Sequence, residues 1–190
     1  MNKKLSMIKQ LGSALLLASV CGFAAATDID TLTEFPYGQS ADIDQYGDLN
    51  NAFISQTGPS NHFDLKQTGI DNYFSGDQNG VDNLMAISQS GSSNRITASQ
   101  SGMLNVLLAT QNGNSNTVSS IQEGNENIIA ISQAGNNNNA DIEQYGDNNS
   151  ALIVQHGHLN TAEISQVGNQ HSVVVTQIGD SHSVNLVQSN

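Results

Sequence analysis

Apolar and polar residues alternate along most of this chain, and the pattern restarts every eleven residues. In a unit counted from a glutamine at position zero, glycine stands at position two, asparagine at five, and apolar residues at seven and nine. Successive side chains of a strand point to opposite faces, so positions five, seven, nine and eleven share one face. Each unit therefore predicts one β-strand with a buried face and one turn.

Two apolar columns predict the core. Position seven contains no polar residue, and it holds Ala52, Phe63, Phe74, Met85, Ile96, Leu107, Val118, Ile129, Ala140, Ala151, Ala162, Val173 and Val184. Position nine is weakened only at Gly76 and Ser120, and its other members are Ile54, Leu65, Ile87, Ala98, Ala109, Ile131, Ile142, Ile153, Ile164, Val175 and Leu186. Positions six, eight and ten mix polar and apolar residues, which indicates an outer face.

Two amide columns accompany this core. The glutamines are Gln45, Gln56, Gln67, Gln78, Gln89, Gln100, Gln111, Gln122, Gln133, Gln144, Gln155, Gln166, Gln177 and Gln188. The asparagines are Asn50, Asn61, Asn72, Asn83, Asn94, Asn105, Asn116, Asn127, Asn138, Asn149 and Asn160, after which His171 and His182 take their place. Amides both donate and accept hydrogen bonds, so stacked units predict amide ladders at the edge of the apolar core.

Glycine follows each of the first thirteen glutamines by two residues, at Gly47, Gly58, Gly69, Gly80, Gly91, Gly102, Gly113, Gly124, Gly135, Gly146, Gly157, Gly168 and Gly179. Glycine adopts positive φ without steric cost, so these residues predict the turns. Two units of 11 residues close one coil of 22, and coils stack about 4.8 Å apart. The predicted fold is all-β, a two-sided β-solenoid of strand-turn-strand coils.

The N-terminal residues differ from the repeats and predict three regions. Residues 1–26 combine basic residues, a short apolar stretch and Ala24 to Ala26, which predicts a signal peptide cleaved after Ala26. Residues 27–44 form an N-terminal secretion or targeting segment that ends in a degenerate first repeat, 34–44, and residues 45–190 form the solenoid. Counting the degenerate repeat gives fourteen strands in seven coils, about 34 Å tall. The pattern continues to the C-terminus without a cap, which predicts head-to-tail stacking.

Charge narrows the choice of partners and chemistry. Removal of the signal peptide leaves two basic residues, Lys66 and Arg95, against 17 acidic ones, so the net charge is 2 − 17 = −15. Such a surface predicts no nucleic-acid partner. We expect no catalytic residues, no cofactor and no metal site. The late histidines His156, His158, His171 and His182 are interpreted as ladder-end residues rather than as ligands.

One unit, Gln144-Tyr-Gly-Asp-Asn-Asn149-Ser-Ala151-Leu-Ile153-Val-Gln155, resembles the curlin repeat of bacterial curli amyloid subunits. The resemblance implies a secreted fibre subunit that self-assembles head to tail and serves in biofilm matrix, adhesion and colonisation. It also implies partners: another curlin subunit or nucleator, an outer-membrane curli secretion pore with accessory chaperones, and host or abiotic surfaces. The location it implies is an extracellular fibre on the cell surface.

Three alternatives remain open from the sequence. The chain resembles the major curlin in its acidic charge and the minor, nucleating curlin in its strict spacing, and the balance slightly favours the major subunit. A non-amyloid β-solenoid adhesin would share the fold and differ in whether its ends associate. A β-helix enzyme acting on polysaccharides needs grouped carboxylates, whereas Asp141, Glu143 and Glu163 are predicted on different coils.

Overall fold

The computed structural model describes residues 3–6, 29–33 and 38–190, and every regular element among them is a β-strand. None of these residues forms a helix with the length and apolarity needed to cross a bilayer. The strands are β1 (Lys3–Ser6), β2 (Ile29–Thr33), β3 (Ser40–Asp48), β4 (Asn51–Thr57), β5 (His62–Ile70), β6 (Tyr73–Val81), β7 (Leu84–Ser92), β8 (Arg95–Met103), β9 (Val106–Asn114), β10 (Thr117–Asn125), β11 (Ile128–Asn136), β12 (Asn139–Tyr145), β13 (Ser150–His158), β14 (Thr161–Val167), β15 (Ser172–Ile178) and β16 (Ser183–Ser189).

Successive strands alternate between two sheets. Sheet A has the order β1-β3-β5-β7-β9-β11-β13-β15, and sheet B has the order β16-β14-β12-β10-β8-β6-β4-β2. Every strand from β2 to β14 pairs in parallel with the strand two positions later in the chain, at an offset of 22 residues. Gln67, for example, lies opposite Gln45 on one side and Gln89 on the other. The predicted two-sided β-solenoid is confirmed.

The core lies between the two sheets, where the two apolar columns face each other. Strand residues alternate between buried and more exposed positions, as in β13, where Ala151 and Ile153 are buried and Leu152 is exposed. Phe63 of sheet A and Phe74 of sheet B meet across the interior with ring centroids 5.0 Å apart. The Phe74 ring also occupies the space beside Gly76, so this weak position of the column leaves no void.

The N-terminal strands extend the stack beyond the predicted first repeat. Strand β3 contains Ala41 and Ile43, which pair with Phe63 and Leu65 as the repeat requires. Strand β2 adds one more strand to sheet B, which sequence reasoning missed because Asp30 stands at a core position of that unit. Strand β1 pairs with β3 in antiparallel orientation. The predicted cleavage after Ala26, and residues 34–37 of the degenerate repeat, lie outside the described residues.

Ser120 is the one hydroxyl in the position-nine column. It is 2 % exposed, and its Oγ has no hydrogen-bond partner among the described residues. A buried polar atom without a partner costs about 1–3 kcal/mol. We therefore expect Ser120→Ala to stabilise the folded chain by about 1 kcal/mol in a guanidinium unfolding series. Ser119→Ala, on the outer face of the same strand, is the matched control and should change little; equal effects of the two substitutions would contradict this reading.

Candidate assembly site

The glutamines form one continuous hydrogen-bonded ladder in each sheet. From Gln45 to Gln177 in sheet A and from Gln56 to Gln188 in sheet B, each Nε2 donates to the Oε1 of the glutamine 22 residues later, at 2.6 to 3.1 Å. The glutamines from Gln56 to Gln166 are at most 2 % exposed. These amides lie inside the stack, whereas the sequence placed them at the edge of the apolar core.

The same glutamines also connect the two sheets. Gln111 of β9 donates its second Nε2 hydrogen to the carbonyl oxygen of Arg95, the first residue of β8 in the opposite sheet, at 3.2 Å. Equivalent bonds span 16 residues at each step from Gln56 onward, for example from Gln133 to Thr117 at 3.0 Å. Each inner glutamine therefore uses both N–H groups and its oxygen, which removes the cost of burying a polar side chain.

The asparagine ladders run in the opposite direction. Asn94 Nδ2 donates to Oδ1 of Asn72, the asparagine 22 residues earlier, at 3.1 Å, and the backbone N–H of Asn94 donates to the same oxygen at 3.2 Å. Asn94 Nδ2 also donates to the Gly113 carbonyl oxygen in the next coil at 2.7 Å. The asparagines hold each turn to the turns above and below it. In the amide-to-amide bonds the asparagine donors point towards the N-terminal end, whereas the glutamine donors point towards the C-terminal end.

The glycines allow the coils to approach closely. A Cβ on Gly113, whose φ is +127°, would lie 1.9 Å from the carbonyl oxygen of Gly135, and the corresponding distances from Gly47 to Gly157 all fall between 1.8 and 2.1 Å. Most strands continue past this glycine, and the chain reverses two residues later. The glycine column thus serves the stacking of backbones in addition to the predicted turn.

The reversal itself occurs at position four, two residues after the glycine to which the sequence assigned the turn. The residues at position four have φ between 54° and 62°, and they are Leu49, Ser60, Asp71, Asp82, Ser93, Leu104, Ser115, Glu126, Asn137, Asn148, Leu159, Gln170 and Ser181. Left-handed backbone is unfavourable for most of these residue types. From Asp71 onward, their backbone N–H groups donate to the preceding coil, as Ser115 does to Ser92 at 2.9 Å, so stacking holds them in this conformation.

A third ladder at position three was also missed. The backbone N–H of Asn125 donates to Asp147 Oδ1 at 2.8 Å, and that of Asp147 donates to Asn169 Oδ1 at 2.8 Å. In the other row of turns, His158 Nδ1 accepts from the backbone N–H of Asn136 at 3.2 Å. A cluster of Asn and Asp at position three from Asn114 onward was the available sequence signal.

The ladders end with complementary unused groups. At the N-terminal end of sheet B, the buried Gln56 Oε1 has no donor among the described residues. At the C-terminal end, the acceptors that the described residues offer are a single carbonyl oxygen for each glutamine, that of Ser172 for Gln188 Nε2, at 3.4 Å, and that of Thr161 for Gln177 Nε2, at 2.9 Å. One end therefore presents an amide acceptor and the other presents amide donors.

The late histidines do not come together. His171 and His182 donate their backbone N–H groups to Asn149 and Asn160, each at 3.0 Å, and so continue the asparagine ladders through the backbone alone. Within residues 38–190, no three His, Cys, Asp or Glu side chains form a group suited to a metal ion. These histidines are positioned at the end of the ladders.

Comparison with known proteins identifies the repeat. Residues 40–69, 135–166 and 157–189 match the family model described as the curlin associated repeat. These matches include strands from both ends of the stack. No curated protein sequence matches the chain.

The glutamine ladder can be tested at its centre. Gln111→Ala leaves the Oε1 of Gln133 without a donor and one of the two Nε2 hydrogens of Gln89 without an acceptor, and each orphaned buried group costs about 1–3 kcal/mol. We expect the free energy of unfolding to fall by about 2–5 kcal/mol in guanidinium titration. Asn112→Ala changes the exposed neighbour on the same strand and should cost less than about 0.5 kcal/mol. A Gln111→Ala loss no larger than the control's would refute the ladder's contribution.

Proposed function

Because the chain belongs to the curlin family, we propose that it is a secreted structural subunit of curli-type amyloid fibres, and specifically the major fibre subunit. Curlin repeats characterise structural subunits rather than enzymes. The proposal includes export after removal of residues 1–26, passage through an outer-membrane secretion pore with its accessory chaperones, and assembly on the cell surface. Fibres there would serve biofilm formation, adhesion and colonisation.

The observation that carries the proposal is the complementarity of the two ends. A second copy displaced by fourteen units continues every column, because Gln45 then follows Gln177 and Gln56 follows Gln188 at the same offset of 22 residues. The unused donor of Gln188 meets the unused acceptor Gln56 Oε1 of the next copy. Head-to-tail stacking thus supplies the hydrogen bond that Gln56 Oε1 lacks among the described residues.

The backbone of the C-terminal edge is oriented for the same contact. The Thr161 N–H donates to His182 in the next coil at 2.7 Å, so N–H groups at position six point towards the C-terminal end. N–H direction alternates along a strand, so positions eight and ten share this orientation. In β16 these are Ser183, Asn185 and Val187, whose N–H groups point away from β14. Edge strands with free N–H groups recruit further strands.

The N-terminal end requires one rearrangement before it can join. Among the described residues of the processed chain, sheet B runs from β2 to β16 and sheet A from β3 to β15, so sheet B has one strand more. A stack that alternates between sheets needs equal numbers from each subunit. We infer that β2 leaves β4 during assembly and that β16 of the preceding subunit replaces it. The residue 22 positions before Gln56 is Glu34, whose ionised side chain offers no donor, whereas Gln188 does.

Fibre assembly is the direct test. We expect residues 27–190 to form seedable fibres with reflections near about 4.7 and 10 Å. Val187→Pro removes one outward edge N–H and no ladder bond within the chain. Added to wild-type seeds, this variant should stop growth at either end, whereas the Val187→Ala variant should elongate the seeds normally.

A folded chain that stays monomeric would favour the adhesin alternative. Growth only on a separate nucleator would still support a major subunit, whereas unhindered growth of Val187→Pro would contradict this end contact.

Displacement of β2 gives a kinetic prediction. Residues 38–190 should elongate wild-type seeds several-fold faster than residues 27–190, because no strand has to leave β4. Thr31→Pro in the longer chain tests the same step at constant length: Thr31 stands at position eight of its unit, so its N–H points towards β4. Thr31→Pro should match the shorter chain, and Thr31→Ala should match the longer one. Equal elongation by all four would contradict the displacement.

A further inference from the structure

The outer face of sheet A carries an uncharged surface across the five described strands from β7 to β15. We call it the sheet A patch, and its position-six, -eight and -ten residues are Leu84, Ala86, Ser88, Val106, Leu108, Thr110, Ile128, Ala130, Ser132, Ser150, Leu152, Val154, Ser172, Val174 and Thr176. Several of these apolar side chains are exposed, including Ile128 at 46 % and Val174 at 65 %. In a processed chain of charge −15, a face of this size without charge needs an explanation.

Sheet B differs at the same height along the stack. From β8 to β16, its outward positions six, eight and ten include the charged residues Arg95, Asp141, Glu143 and Glu163, and their only large apolar residues are Ile121 and Val187. The three carboxylates, predicted on different coils, are neighbours: Asp141 and Glu143 both lie on β12, and Asp141 pairs with Glu163. Partial burial and then the carboxylates of Glu143, Glu123 and Asp141 raise the pKa of the nearby Tyr145 phenol. The repeat imposes the same core on both sheets, so it does not account for this difference between their outer faces.

We propose that the sheet A patch pairs two stacks of this protein side by side, patch against patch. The inference rests on the proposed fibre function. Two copies of a strongly acidic chain repel each other over most of their surfaces. At the patch that repulsion is weakest and apolar area is available for burial. A second copy of the same chain is therefore the partner whose charge distribution selects this face.

The axial repeat of the patch also fits a second stack. Leu84, Val106 and Ile128 are paired in register on successive strands, as are Leu108, Ala130, Leu152 and Val174. These rows repeat at the strand spacing of about 4.8 Å, which another copy reproduces along its whole length. Matched rows of small and branched side chains can interdigitate in a dry interface between sheets.

The patch is large enough for a specific contact. Five strands span about 24 Å, and four outward residues per strand, including Ser90, Asn112, Ala134, His156 and Ile178 at position one, span about 26 Å. One copy would contribute roughly 600 Å², so two copies bury about 1,200 Å² in total, which reaches the range of stable interfaces. His156 is the only titratable residue in this described area.

The patch ends at β5. Asp42 and Asp44 of β3 and Asp64 and Lys66 of β5 occupy the outer face there, so one charged band separates successive patches along a fibre. Carboxylates of facing bands repel each other, and salt screens this repulsion. Pairing should therefore strengthen between low and physiological ionic strength, as expected for an apolar contact flanked by acidic groups.

The test measures mass per length of fibres grown from residues 27–190 by scanning transmission electron microscopy. If stacks pair, a wild-type fibre contains two chains in every axial length of seven coils, which is about 34 Å. Leu108→Glu/Val154→Glu places carboxylates in the patch and should halve this value while cross-β diffraction persists. The matched variant Ser119→Glu/Ser165→Glu adds the same charge at positions eight and ten of sheet B and should keep two chains.

Each outcome separates the inference from the proposed function. Wild-type fibres with one chain per seven coils would overturn the pairing and leave the fibre function standing. Patch and control variants that both retain two chains, or both lose one, would also overturn it, because the contact would not then depend on sheet A. A chain that forms no cross-β fibre would overturn both proposals.

Discussion

The structure of this protein depends on buried side-chain amides. These amides find their hydrogen-bond partners in neighbouring coils. The Nε2 of Gln111 needs Gln133 above it and the Arg95 carbonyl across the stack, and its oxygen needs Gln89 below it. The glycine column permits this because a Cβ on Gly113 would lie 1.9 Å from the Gly135 carbonyl oxygen. The amide ladders and close backbone packing therefore enforce the same register, and a slip of one residue would break both.

This constraint has a direct consequence at the ends of the stack. An inner coil finds its partners within the chain, but the terminal coils do not, since Gln56 Oε1 has no donor among the described residues and Gln188 Nε2 has lost its ladder acceptor. A globular protein would replace such residues with polar groups facing water or with a cap. Here the interaction that builds the interior also makes the ends mutually complementary, so folding and the proposed assembly use one set of contacts.

The sequence predicted the architecture because the eleven-residue period encodes it directly. Strand positions, both core columns and the count of fourteen strands from β3 to β16 follow from alternation and spacing. The period does not encode the direction of an amide, so the opposed glutamine and asparagine ladders required coordinates. Position four carries leucine, serine, glutamate and glutamine as well as aspartate and asparagine, so its residues share no preference for left-handed backbone, and its φ near 60° is imposed by stacking. Strand β2 was not predicted from the sequence because Asp30 occupies a core position.

The repeat does not constrain the residues at outward positions, so these residues can differ between the two sheets. A residue such as Leu152 or Glu163 neither fills the core nor completes a ladder, and exchanging polar for apolar residues there leaves the fold intact. The charged outward residues lie on sheet B and on β3 and β5, whereas β7 to β15 of sheet A carry none. Folding does not require this distribution of charge. An arrangement that the fold does not require is best explained by an interaction outside it, and on a chain that stacks axially the remaining direction for interaction is lateral.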